Sequence, residues 1–223
     1  MTSWFVVAAI GGFVGLDTTS FPQMMVSRPL VAGTVTGAIL GRPMAGLTVG
    51  FIMEAFSLLV LPVGASRYPE SGTATVAATA AYVAVAPATL APGVLVLVLA
   101  FALAWEWVGG ESVVLLRRAN GKLIRKKEGV PARHLEHRHL SAMGLDFVRA
   151  AVVAAGGGLI AAAVARWAAP LWDLDPGSTM EVLAVLTATM IGTAVPIFGG
   201  VRARRYALLL GLITGVTLAA VAG

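Results

Sequence analysis

The chain has no cysteine among its 223 residues, which excludes disulfides, thiolate nucleophiles, cysteine-held metals and a phosphocysteine intermediate. Charge is scarce too. Charged residues make up 12% against 58% hydrophobic, and the mean hydropathy of +0.87 lies far from the balance of a soluble domain. The N-terminus carries no basic region and no small-residue cleavage site, so Ser3 to Leu16 is expected to be a retained segment and not a signal peptide. No phosphate-binding loop is present: Gly109-Gly110 and Gly156-Gly157-Gly158 follow no strand and precede no Lys-Ser/Thr pair. The histidines, His134, His137 and His139, sit together beside cations at a spacing that fits no standard zinc site, so a solvated segment is the better reading. They also lie away from every intramembrane carboxylate, and no Ser/His/Asp arrangement can be assembled. No catalytic residue, metal or cofactor is expected.

What remains is apolar and long. Several stretches are long enough to cross a bilayer, which makes an all-α polytopic membrane protein of about six to eight membrane segments, some of them re-entrant or broken, in a single domain over 1–223. The net charge of +5 is unevenly spread. Half of the 16 Lys and Arg lie at Arg117, Arg118, Lys122, Arg125, Lys126, Lys127, Arg133 and Arg138. That cluster predicts a cytoplasmic basic loop over about 117–139, with Asn120-Gly121 as a turn inside it. Leu145 to Ala169 then crosses outward to a loop with Asp173 and Asp175 and no Lys or Arg. Met180 to Phe198 returns inward to Arg202, Arg204 and Arg205, and Tyr206 to Val221 crosses once more. The single arginines at 28, 42 and 67 leave the orientation of the N-terminal half open.

That half is broken into short pieces. Pro29 to Gly41 is apolar but about 13 residues, roughly 20 Å as a helix, too short for a hydrocarbon core of about 30 Å. Proline suits a helix start at Pro29 and disfavours helix at Arg42, just before Pro43. Gly33, Gly37 and Gly41 recur every four residues and predict close packing against a neighbour. Gly64 to Gly72 forms a second interruption, and Thr73 to Ala86 is again short, up to Pro87. Paired short segments interrupted by Gly and Pro point to a substrate site in carriers. Glu54 lies inside the apolar run from Met44 to Leu61, where a charge costs roughly 3 kcal/mol or more. Helical spacing puts Gly46, Gly50, Glu54 and Ser57 on one face. Glu54 therefore reads as a site residue. Glu70, followed by Ser71 as a candidate N-cap, is either a second site residue or a complement to a helix dipole. Arg42 and Arg67 either reach the interface or join the site.

The stretches Ser27 to Gly41, Ala45 to Phe56 and Val63 to Thr75 together resemble the IIC subunit of mannose-family sugar phosphotransferase systems (the mannose/fructose/sorbose group). The family pattern is an Arg-Pro-Leu half-helix, a Gly-rich helix carrying a Glu, and a small-residue loop holding Pro and an acid. Arg28-Pro29-Leu30, Gly50 to Glu54 and Pro69-Glu70 match it in order and spacing, over about the first 90 residues.

The resemblance implies a sugar-translocating subunit in a bacterial inner membrane. It would bind a hexose-type sugar and pass it inward for phosphorylation by phospho-IIB. Its partners would be a IID membrane subunit and cytoplasmic IIA and IIB phosphocarriers, with IIC–IID pairs as the oligomer and no phosphorylated residue of its own. The substrate-binding residues would be Glu54, Glu70, Gln23, Tyr68 and Arg67. Carboxylates accept paired hydroxyls in charge-assisted bonds, and Tyr68 offers a ring to the sugar's C–H face. The basic loop would either steer an acidic partner or only set topology. Two departures bear on substrate identity. Pro22-Gln23 stands where the family usually has an acidic pair, and Glu70 where aspartate is common. Two other classes stay open: a non-transporting membrane scaffold or sensor, and an ion-coupled carrier that protonates Glu54.

Overall fold

Proline sets where four of the helices begin. Helices α2 (Pro29–Ile39), α3 (Pro43–Ser57), α5 (Pro92–Leu123) and α7 (Pro176–Ala194) all open on it, at the position where a missing N–H costs nothing. Helices α1 (Trp4–Thr19), α4 (Ser71–Val85) and α6 (Ala132–Ala168) complete the set, with a 3-10 turn after α6 and another after α7. The computed structural model describes residues 3–60, 67–87, 90–123, 132–202, 205, 206, 209 and 213. Among the described residues the protein is all-α, without strands. Three stretches, Pro92–Gly121, Glu136–Leu171 and Pro176–Phe198, are long and apolar enough to cross a membrane, and α1 to α4 are shorter apolar helices.

A short helix at membrane depth needs its freed backbone ends covered by protein, and α4 shows how that is achieved. Every residue from Gly72 to Tyr82 is buried, because α1, α2, α3, α5 and α6 all pack on it. Its Gly, Ala, Thr and Val side chains are small enough to admit neighbours on every side. The Thr75 hydroxyl folds back onto its own helix, donating to the Ser71 carbonyl at 2.7 Å, so it demands no outside partner.

Glycine decides the other close contacts. A Cβ on Gly33 would strike the backbone of Gly46 and Gly50, one on Gly37 that of Arg42 and Gly46, and one on Gly46 that of Gly33. Helices α2 and α3 thus meet backbone to backbone, as the small-residue spacing predicts. Gly41 does a different job: with φ +79 and open space around it, it turns the chain between them. Gly11 and Gly15 bring α1 onto Ala154 and Ala150 of α6 in the same manner. Gly157 and Gly158 leave room for the indoles of Trp105 and Trp4.

The outside is apolar: Phe5, Phe13, Met44, Val152 and Trp167 are exposed, while Asp17, Glu70, Glu106 and Asp146 are buried. Polar inside and apolar outside is the distribution of a membrane protein.

Three expectations need correction. The basic stretch is helix at both ends, since α5 continues to Leu123 and α6 begins at Ala132; only residues 124–131 between them lie outside the described residues. Its charged side chains are compatible with helix once the helix has left the bilayer, and at 32 and 37 residues the two helices are roughly 48 and 55 Å long, well beyond a core of about 30 Å. Asn120-Gly121 is accordingly helical and not a turn. Ser71 is the first helical residue of α4, with Glu70 at the cap position and no side-chain cap bond. The segment expected over Tyr206 to Val221 lies almost wholly outside the described residues.

Candidate functional site

The site begins where an extended segment lies against a helix. The Glu70 N–H donates to the Glu106 carbonyl of α5 at 2.9 Å. Gly109 and Gly110 make this approach possible, because a Cβ on Gly110 would strike the Tyr68 carbonyl and one on Gly109 would crowd the Glu70 side chain. Glu70 is thereby delivered into the bundle, where its side chain is wholly buried.

Arg149 of α6 meets it there with both terminal nitrogens, at 2.8 Å and 2.9 Å from the two carboxylate oxygens. This is the bidentate geometry that makes such pairs strong. The same guanidinium donates to the Ser112 hydroxyl at 2.8 Å and to Asp146 at 2.9 Å. Asp146 also accepts from the Thr19 hydroxyl and, at 2.8 Å, from that of Ser20. One arginine thus ties the end of α1 and the start of α4 to α5 and α6.

Asp17 shapes the next part. Its two oxygens accept the backbone N–H groups of Met24, at 2.6 Å, and Ser27, at 2.7 Å, which folds the segment after α1 back on itself. That fold places Arg28 at the N-cap of α2. Glu54 of α3 accepts from the Arg28 Nε at 2.9 Å, from its Nη2, and from the Leu30 N–H at 3.2 Å. A carboxylate here also complements the positive end of α2.

Between these groups lies a cavity of about 70 Å³, bounded by Thr18, Ser27, Arg28, Ser57, Val60, Tyr68, Pro69, Glu70, Ser71, Gly72 and Glu106, enough for a few waters. Of the five substrate-binding residues that the resemblance implies, Tyr68 and Glu70 line it. Glu54 stands behind it, bonded to the Arg28 that does line it. Arg67 is more than half exposed and pairs with Glu111 at 2.9 Å, so the cation beside Glu54 is Arg28 and not Arg67. Gln23 is exposed in the turn after α1, in left-handed backbone at φ 58, and does not line the cavity. The Tyr68 ring has the Arg117 guanidinium 5.8 Å from its centre, a cation–π distance.

Sequence reasoning misses Arg149, Asp146 and Glu106. Glu106 carries a usable signal, since it interrupts the apolar run of α5 as Glu54 interrupts that of α3. Arg149 carries none that identifies its partner, because Glu70 lies 79 positions away.

The family model for the sorbose-specific IIC component of phosphotransferase systems matches residues 1–195. No curated protein matches the chain. A solved structure titled "Structure of membrane protein" superposes with a TM-score of 0.65 over 97% of this chain and 92% of its own, at 19% identity. That is a likeness of fold.

Proposed function

Because the chain belongs to the sorbose-specific IIC family of phosphotransferase systems, a family of sugar-transport subunits, we propose that it binds a hexose-type sugar and passes it inward to be phosphorylated by phospho-IIB. It does so as a multi-pass protein of a bacterial inner membrane, one domain over its whole length, paired with a IID subunit and served by IIA and IIB phosphocarriers. IIC–IID pairs form the oligomer.

The observation that carries this reading is a cavity inside the bundle that several polar side chains bound. It offers hydroxyls from Thr18, Ser27, Ser57 and Ser71, a guanidinium from Arg28 and an aromatic face from Tyr68. This mixture of donors, acceptors and ring surface suits a neutral polyol better than a bare ion, and the cavity of about 70 Å³ has to widen to take a hexose. In this proposal Glu54 acts through Arg28, fixing its guanidinium, and Glu70 holds the cavity wall against α6. Gln23 and Arg67 serve the approach to the cavity and not its interior.

The test is uptake in vesicles that contain this chain, its IID partner, IIA, IIB and phosphoenolpyruvate. Labelled sorbose, fructose or mannose should accumulate as sugar phosphate, and omission of any component should stop it. Accumulation of free sugar driven by a proton gradient would replace this reading with an ion-coupled carrier. No uptake, with IIB-type proteins still bound, would replace it with a scaffold.

A further inference from the structure

Four buried or half-buried acids around the site have both oxygens engaged. Asp17 holds two backbone N–H groups, Asp146 holds Arg149 and two hydroxyls, Glu54 holds Arg28 and Leu30, and Glu70 holds Arg149 twice. Glu106 is different. It is 6% exposed, its Oε1 is buried without a hydrogen-bond partner among the described residues, and it lines the cavity. A buried polar atom left without a partner is rare and costly in a folded protein. Nothing in the packing requires it, since an apolar residue of similar size would continue the run of α5 at no such cost. The group it lacks is a donor, and Glu106 is one of the residues that bound the cavity.

On the reading of the chain as a sugar-transport subunit, we infer that Glu106 is the carboxyl that receives the hydroxyl donors of the bound sugar. Arg28 on the same cavity supplies the donor that a ring or hydroxyl oxygen of the sugar accepts. Glu54 and Glu70 each have a donor on both oxygens, so their first role is to shape the cavity, while Glu106 contacts its contents. Engagement of adjacent hydroxyls by one carboxylate also selects among sugars, because a hydroxyl that is missing or points away leaves the oxygen unpaired again.

The experiment measures sugar binding and uptake by the complete IIC–IID complex in membrane vesicles, with sorbose, fructose, mannose and their monodeoxy derivatives as probes. Glu106→Gln should insert and assemble as the parent does, with a thermal midpoint equal or higher, because it removes an unmatched buried acid. Its half-saturating sugar concentration should rise roughly tenfold or more, the scale of a lost charged hydrogen bond. Removal of one particular hydroxyl should weaken binding to the parent and make little difference to Glu106→Gln. Glu106→Asp should restore part of that discrimination. Parent-like half-saturation and an unchanged deoxy-sugar profile in Glu106→Gln would overturn the inference alone. So would loss of folding or assembly in Glu106→Gln, which would make Glu106 a structural residue. Failure of the parent complex to bind any of the sugars would overturn the transport reading, and this inference with it.

Discussion

The cavity wall at the start of α4 and its wall on α5 treat a buried carboxylate in opposite ways. Glu70 and Glu106 are joined by a backbone hydrogen bond, yet one is clasped by an arginine and the other has an oxygen with no donor among the described residues. The difference separates two uses of an acid in an apolar bundle. An acid with a donor on both oxygens fixes helices in place and has less capacity left for a ligand. One left unmatched contributes little to the fold and is available.

The comparison can be broken most forcefully at Arg149. Arg149→Met leaves Glu70 and Asp146 buried without their cation, a loss of about 3–5 kcal/mol for a broken buried pair. The expected outcome is little or no folded protein by fluorescence-detected size exclusion. Retention of a parent-like thermal midpoint would mean that the network does not hold α1, α4, α5 and α6 together. Arg149→Lys should recover only part of the loss, since an ammonium cannot make the planar double contact.

Glu54→Gln comes next. It removes one charge of the pair with Arg28 and should lower stability by about 1.5–3 kcal/mol, the scale of a hydrogen bond to a charged group. Thermal unfolding with and without sugar decides how Glu54 works. Reduced stability with a modest change in affinity fits a residue acting through Arg28. Parent-like stability with a large loss of affinity would put Glu54 in direct contact with sugar and weaken the contrast with Glu106.

Gly37→Leu carries the contrast into apolar packing. The new side chain has backbone in its way, from Arg42 and Gly46, so overpacking of about 1–3 kcal/mol is expected. Assembly or uptake should fall while insertion into the membrane persists. Unchanged assembly and uptake would mean that the α2–α3 contact tolerates separation.

The smallest effect concerns an exposed acid, Asp175, which caps α7. The Ser178 N–H reaches its carboxylate at 3.0 Å, and these bonds from Ser178 hold the carboxyl below its ordinary value. A lowered folded-state value means that the cap's stabilisation is fully present above the ordinary carboxyl range and is lost as pH falls through the lowered value. Asp175→Ala should therefore unfold slightly earlier than the parent at neutral pH, with the gap closing in strong acid. A gap that persists there would assign the effect to something other than the charged cap.

Much of the fold was legible because its signals are local. Proline positions mark the starts of α2 and α3, the four-residue glycine spacing marks their contact, and hydropathy marks α6 and α7. The lengths of α5 and α6 were not, because charge reads as loop whether or not the backbone stays helical beyond the bilayer. The candidate site was half legible. An acid in an apolar run signals importance, and Glu54 and Glu106 carry that signal equally. Which of them already has a partner depends on Arg28 reaching α3 and Arg149 reaching α4, and no periodicity along the chain encodes a contact 79 positions apart.

The glycine contact between α2 and α3 has a mechanical consequence. Helices separated by side chains can slide, because rotamers yield between them. Here backbone meets backbone, and no soft layer is left to deform. The hairpin can take part in a transport cycle only as one stiff lever, with α2 and α3 swinging together. Its pivots must then sit outside the pair. Arg28 and Glu54 ride on that lever together, so their bond need not break for it to move.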